Sequence, residues 1–416
     1  MTTASALRTP ATPTDTADTA AAAAAGAGAT DTAAGLLAAY RPGPARALLA
    51  TPTRTLLAEG VHRTVEDPAA VGSLLGAGAD GVDGAGGGGG ERLVVGAIPF
   101  DPGAPARLFV PQRVRRAGPV AALDGEPAPG APAGDGGWRS RPVPEPDGYR
   151  AAVAEAVRRL AGDSPLEKVV LARTLELTAP GGSDLAAMAA RLVRRDPHGY
   201  TFAVPAGGTA TLIGASPELL VSRRGTRVVS NPLAGSAARS ADPVEDRRRA
   251  EALLESAKDL AEHAFVVDAV RAALSPFCAE LAVPARPVLL RTAAMWHLSS
   301  TVTGVLRDPA TSALELALAL HPTPAVCGTP TAQARAAIGE LEPFDRGLYT
   351  GVVGWGDASG DGEWVVTLRC AEADGDLLRL FAGAGVVAAS DPELELAETA
   401  AKFRTFLHAV GLADAR

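Results

Sequence analysis

Two short runs of the chain align acidic side chains. In KDLAEH, Asp259 and Glu262 are three residues apart, and near the end of the chain Glu395, Glu398 and Lys402 fall at i, i+3 and i+7. On a helix each set shares one face. Aligned carboxylates raise one another's pKa unless a cation neutralises them, and hard oxygen donors with room for water suit Mg²⁺. The plain alternative is two solvated helix faces, which periodicity alone favours. Lys168 stands in the apolar run KVVLART, with Val170 and Ala172 on the same side of a strand. It is either an edge charge or a buried amine, and a desolvated ammonium gives up its proton readily enough to activate water.

Glu218 lies in GASPELL after Ser216 and Pro217, a hydroxyl cap followed by a first-turn proline that predicts a helix start. A helix start favours the carboxylate anion. For Glu218 to donate a proton near neutral pH, burial or a neighbouring anion must win. Ala234-Gly235-Ser236 reads as a small-residue loop whose backbone N–H groups could approach an anion. Arg369, in TLRCA, offers a bidentate fork to a carboxylate, and Gly383-Ala384-Gly385 reads as a turn offering N–H groups. Tyr349 and His297 could add hydrogen bonds, although such residues are more often satisfied in a core. Cys327 reads as an inert small residue.

The elements that must carry these groups follow from periodicity. Residues 36–62 suggest the first strand or two, residues 92–100 and 107–113 paired strands, and residues 149–160 a helix with Val153, Ala156, Val157 and Leu160 on one face. Residues 168–174 form a strand, 184–194 a helix, and 200–204 with 209–214 a hairpin. Two long helices over 244–257 and 258–274, continuous or not, are followed by strands near Leu281, Val288 and 297–305. Helices over 312–320 and 331–341, a strand-rich stretch around Gly351, Trp364 and Leu378, and a final helix over 392–410 complete the chain. Strands and helices come in clusters, which predicts an α+β fold rather than a doubly wound parallel sheet.

The chain has 416 residues and a net charge of −8, without a Lys/Arg cluster interleaved with aromatics, so nucleic acid is a poor partner. Its three cysteines, Cys278, Cys327 and Cys370, show no paired spacing and suggest reduced thiols in a cytoplasmic compartment. Neither a signal peptide nor a bilayer-spanning run is expected. Residues 1–35 form an Ala/Thr/Gly-rich tail expected to be disordered, and 36–416 a single catalytic domain with flexible Gly- and Pro-rich loops near 76–90 and 117–137. The Gly-rich tract lacks the Lys-Ser/Thr and helix of a phosphate-binding loop.

GASPELL, PLAGSA, KDLAEH, MWHLSS, HPTPAVCG, ELEPFDRGLYTGVVGW, EWVVTLRCA and RLFAGAG occur in that order. As a set they resemble the chorismate-utilising enzymes, most closely the siderophore-type isochorismate synthases, from about residue 90 to the C-terminus and more loosely from about 36. The resemblance implies one α+β chorismate-binding domain of two similar layers, packed antiparallel sheets with helices outside and the active site at their junction. It implies Mg²⁺-dependent isomerisation of chorismate to isochorismate, with Lys168 deprotonating a water that attacks C2 and Glu218 protonating the departing C4 hydroxyl. Mg²⁺ would sit between Glu262 and Glu398, with Asp259 and Glu395 holding its waters, and would bind the ring carboxylate. Gly235, Ser236 and Lys402 belong near that end, while Arg369, Tyr349 and the backbone at Gly383 would hold the enolpyruvyl carboxylate. His297 and Ala325, the latter in HPTPAVCG, complete the expected substrate-binding set. The implied protein is a cytoplasmic monomer.

Rivals within the family are weaker. Aminodeoxychorismate synthases carry a lysine nucleophile where this chain has Ala234, and HPTPAVCG does not resemble the corresponding loop of anthranilate synthases. Salicylate synthase, which eliminates pyruvate from isochorismate in the same site, is the serious alternative. A non-catalytic binding protein would be expected to have lost Lys168, Glu218 or a metal carboxylate, and all are present.

Overall fold

The computed structural model describes residues 31–76, 92–120, 138–178 and 181–410. Most of the tail and of the two loops expected near 76–90 and 117–137 lies outside these residues. The first described element is a helix, Ala33–Ala39, capped by the Thr32 side chain and buried through Leu36 and Leu37, where the sequence suggested a strand. Strands Arg46–Ala50 and Thr55–Val65 follow it.

Most strands join one long antiparallel ribbon, and its order explains why distant motifs meet. From one end it runs through Cys278–Ala282, Val302–Leu306, Arg227–Asn231, Leu219–Arg224, Gly362–Val366, Val352–Asp357 and Leu93–Ile98. It continues through Arg107–Ala117, Thr55–Val65, Arg46–Ala50, Tyr200–Gly207, Ala210–Ser216, Cys370–Asp374, Leu377–Val386 and Lys168–Thr178. The ribbon folds back on itself, so that Ala47, Leu49, Phe109, Phe202, Val353, Trp355 and Phe381 share one apolar core between its halves. Burying alternate side chains on both inner faces is what holds two sheets together.

Helices cover the outer faces. Ala33–Ala39, Leu185–Arg195 and Pro392–Val410 pack through Leu36, Leu192, Phe403 and Phe406 on one half. Ala257–Leu274 and Ala313–Leu320 pack through Val270, Leu274 and Leu316 on the other. The α+β architecture of packed antiparallel sheets with external helices is therefore the observed one. A separate three-stranded sheet, Leu233–Ala238 with Met295–Ser299 and Val288–Arg291, sits beside the long helix Ala257–Leu274.

Three local expectations are corrected. Ser216 and Pro217 do not start a helix: Ser216 ends one strand, Leu219 begins the next, and Glu218 occupies the break between them. The Ser216 Oγ does accept the Glu218 N–H at 3.2 Å, but LLVSRR runs on as a strand paired with Gly362–Val366 and Arg227–Asn231, and long-range ladder bonds override the local cap. Ala234-Gly235-Ser236 is not a loop but the irregular centre of Leu233–Ala238, where the register slips and Gly235 takes φ +77°. Gly383-Ala384-Gly385 is not a turn; it is paired throughout with Val170–Ala172. The helices Pro243–Glu255 and Ala257–Leu274 are separate, divided at Ser256, whose side chain caps Asp259.

Candidate active site

A cavity with about 790 Å³ of empty space, counted out to its mouth, opens where the two halves of the ribbon meet the helices Ala257–Leu274 and Pro392–Val410. Of the fourteen residues singled out from the sequence, twelve line it: Asp259, Glu262, Glu398 and Lys402 at one end, Arg369, Tyr349 and Gly383 with Glu218, and Gly235, Ser236, His297 and Ala325 around them. Lys168 and Glu395 stand behind the wall, both buried.

Lys168 reaches the cavity region through Gly385. A side chain at Gly385 would collide with the Glu262 carboxylate and come 3.1 Å from Lys168 Cε. Through this gap the Lys168 ammonium meets Glu262 Oε1 at 2.9 Å. Burial would raise the Glu262 carboxyl, but Lys168, with Lys402 and Lys258, more than offsets this and holds it below the ordinary carboxylate range.

Glu218 has the opposite tuning. Burial pushes its carboxyl up to about 7, against the Leu233 N–H at 3.5 Å and the positive charges of Arg369, Lys168 and Lys402. The residue is 2% exposed. Desolvation therefore does what the expected helix start would have opposed. Glu218 and Arg369 come together because their strands are neighbours: Cys370 pairs with Gly214, and the Arg369 carbonyl accepts the Ala215 N–H at 3.1 Å. Arg369 sits at φ +48°, a left-handed conformation uncommon for a residue with a side chain.

Around the remaining wall, Tyr349 stacks on Phe381 with ring centroids 4.9 Å apart. Ser236 Oγ and His297 Nδ1 are 2.7 Å apart, whereas His297 Nε2 is buried without a partner. Burial, helped by Arg369 and Lys402, drops the His297 pKa well below its usual value, so the ring is neutral. A neutral imidazole bonded at one nitrogen, here to Ser236, can accept or donate one hydrogen bond at its second nitrogen, and His297 lines the cavity. Lys402 donates to the Gly383 carbonyl at 2.7 Å and pairs with Glu398 at 2.6 Å.

The acidic set meets the chemistry of a hard-cation site but not yet its geometry. Only oxygen donors are offered, and they repel one another: burial followed by Glu398 raises Glu395, while burial raises Asp259 with Glu262 and Glu398 adding to the shift. Each glutamate is meanwhile turned to a lysine, Glu262 to Lys168, Glu398 to Lys402 and Glu395 to Lys258. Among the described residues no three acidic, histidine or cysteine side chains stand close enough together to hold an ion as they are.

Sequence reasoning missed several participants. Lys258, the counter-charge of Glu395, was read only as part of KDLAEH, and Gly385 only as part of a supposed turn. Its signal was present in RLFAGAG, since alternating glycines in a strand clear space on one face. The buried pair Glu342 and Arg346, in ELEPFDRGLYTG, was not singled out at all.

The model of the family described as chorismate binding enzyme matches residues 126–411. The chain is 54% identical over 389 residues to isochorismate synthase DhbC of Bacillus subtilis (strain 168), covering 91% of this chain and 96% of that protein. It is 39% identical over 335 residues to isochorismate synthase EntC of Escherichia coli (strain K12), covering 77% and 81%. The crystal structure of a DhbC of Bacillus anthracis, described as a putative 2,3-dihydroxybenzoate-specific isochorismate synthase, superposes with a TM-score of 0.84 at 47% identity, covering 91% of this chain and 99% of that one. By sequence over most of its length, and by the fold that gathers its motifs around one cavity, this chain belongs to the family of chorismate-binding enzymes.

Proposed function

We propose that the protein is an isochorismate synthase, an isomerase that converts chorismate to isochorismate. The observation that carries the reading is the placing of two groups around one cavity: Glu218 in its wall, a carboxylic acid pushed up to about 7 by burial, and Lys168, enclosed just behind that wall. The relatives named isochorismate synthase support the reaction class.

In this reading Lys168 takes a proton from a water as its oxygen bonds to C2 of the ring. The double bonds shift, the C4–oxygen bond breaks, and Glu218 gives its proton to the departing hydroxyl, which leaves as water. One water enters and one leaves, so the net change is an isomerisation. Glu218, its carboxyl raised to about 7, retains a proton to give near neutral pH. Arg369, Tyr349 and the Gly383 strand hold the enolpyruvyl carboxylate, and Lys402 lies near the ring carboxylate with Gly235 and Ser236. His297 Nε2 and Ala325 complete the contact surface. Glu262 and Glu398, with Asp259 and Glu395 on its waters, would hold a Mg²⁺ whose charge would neutralise the ring carboxylate. Support for this comes from the all-oxygen donor set and its mutual repulsion.

The product is proposed to supply a 2,3-dihydroxybenzoate siderophore, as the printed description of the Bacillus anthracis relative suggests. Incubation with chorismate and Mg²⁺ at neutral pH tests the reading: isochorismate should accumulate without pyruvate. Stoichiometric pyruvate and salicylate would instead establish the salicylate synthase alternative.

A further inference from the structure

The strand Lys168–Thr178 is paired along one edge with Leu377–Val386 over its whole useful length, from Val169 to Thr178. Its other edge is interrupted. Gly328–Thr329 pairs with Val169 and Lys168, the Cys327 carbonyl accepts the Val170 N–H at 2.9 Å, and the next strand, Arg139–Val143, begins only opposite Thr174. The Val170 carbonyl and the Ala172 N–H therefore face a gap in the ladder, and buried backbone groups without partners are costly.

Two side chains fill that gap. Arg346 donates to the Val170 carbonyl at 2.7 Å, and Glu342 accepts the Ala172 N–H at 2.7 Å. A donor on the carbonyl of one residue and an acceptor on the N–H two residues on is what a neighbouring strand would present. The two side chains are joined to each other, Arg346 Nε to Glu342 Oε2 at 2.8 Å, and each is 2% exposed. The other arm of the guanidinium reaches the Val326 carbonyl at 2.8 Å and Thr350 Oγ1 at 3.2 Å. Val170, Val326 and Thr350 all line the cavity, and Lys168 is two residues before Val170 on the same face of its strand.

We infer that the Arg346–Glu342 pair is a positioning device for the reaction, a side-chain substitute for a missing strand segment that fixes the strand carrying Lys168. A buried ion pair is weak as a stabiliser, because apolar residues of the same volume serve as well. What apolar residues cannot do is satisfy the Val170 carbonyl, the Ala172 N–H and the Val326 carbonyl at fixed angles. A guanidinium's rigid fork of N–H groups donates to both carbonyls and holds the Glu342 carboxylate that accepts the Ala172 N–H, and a lysine cannot do all three. The inference rests on the isochorismate synthase reading for its kinetic arm, and on the backbone geometry alone for its structural arm.

The experiment compares the full-length parent with the double variant Arg346→Met, Glu342→Leu and with Arg346→Lys. Folded protein is scored by near-ultraviolet circular dichroism and a cooperative melt, and kcat is expressed per folded molecule. Misplacing a reacting group by about an ångström costs on the order of a hundred-fold, so the double variant should lose about that factor in kcat, with KM for chorismate changed by less than about three-fold. KM is spared because Arg369 and Lys402 do not touch the pair. Arg346→Lys should fall between the two, and decides the matter if the double variant does not fold. In the folded double variant the Ala172 amide, its Glu342 acceptor removed, should exchange with solvent faster than in the parent, while Thr174, held by Arg139–Val143, keeps its protection. Parental kcat per folded molecule, or an unchanged Ala172 exchange rate in the double variant, overturns the inference. A parent that makes no isochorismate sinks the functional reading instead, and the exchange rates then decide the strand substitution by themselves.

Discussion

Lys168 Nζ and Glu262 Oε1 lie 2.9 Å apart, with the lysine fully enclosed and the glutamate 15% exposed. The amine and the first carboxylate of the acidic cluster therefore form one unit, joined through the gap left by Gly385. Lys168→Ala should abolish isochorismate formation and leave the chain folded. Its stability cost should stay below the roughly 3–5 kcal/mol of a fully buried broken pair, because Glu262 keeps solvent access and the field of Lys402 and Lys258. Turnover at the parental rate would remove Lys168 as the base.

Glu218 sets a pH limit. Its carboxyl, raised by burial to about 7, must be protonated to serve as the acid, so kcat should decline as the pH rises through about 7. Glu218→Gln should lower kcat by about 10²–10⁴-fold and erase that limb. Stability carries the same sign. A carboxyl whose folded value lies above its ordinary 4.5 contributes stability fully below 4.5 and loses it as the pH rises to about 7. The glutamine variant should therefore gain on the parent in thermal melts above neutral pH, and a constant difference across pH 4 to about 8 would contradict the burial argument.

The acidic cluster predicts a metal requirement. Excess chelator should stop turnover, and Glu398→Gln should raise the Mg²⁺ concentration needed for half-maximal rate, since it removes one charged oxygen and releases Lys402 from its partner. Activity persisting in chelator would dismiss the ion.

Gly235 should tolerate no side chain. At φ +77° a Cβ would be strained and would sit 3.0 Å from the Asp259 Cβ and 3.1 Å from Leu298 Cδ1. Gly235→Ala is expected to cost about 1–2 kcal/mol in thermal unfolding and, by pushing on Asp259, to weaken Mg²⁺ activation. A variant with the parental melting temperature and metal response would show that the strand relaxes there at no cost.

The chain's own order of residues determined which groups share a face, because helical and strand periods are local. Asp259 with Glu262, Glu398 with Lys402, and Lys168 with Val170 were legible on that ground, and all are found at or just behind the cavity wall. The family was legible too, from motifs whose order survives any loop length between them. Tertiary structure alone decided what those groups face. Ser216 and Pro217 carry a helix-start pattern, yet ladder bonds to strands more than a hundred residues away hold Glu218 in a break between strands. The glycines of RLFAGAG looked like a turn until pairing with Val170–Ala172 made them a strand with room for a lysine and a carboxylate. Nor does spacing reveal that each cluster glutamate leans on a lysine, or that Arg346 and Glu342 complete a distant strand. Direction along an element is fixed by backbone geometry within a few residues, whereas partners and desolvation depend on which surfaces the folded ribbon presses together.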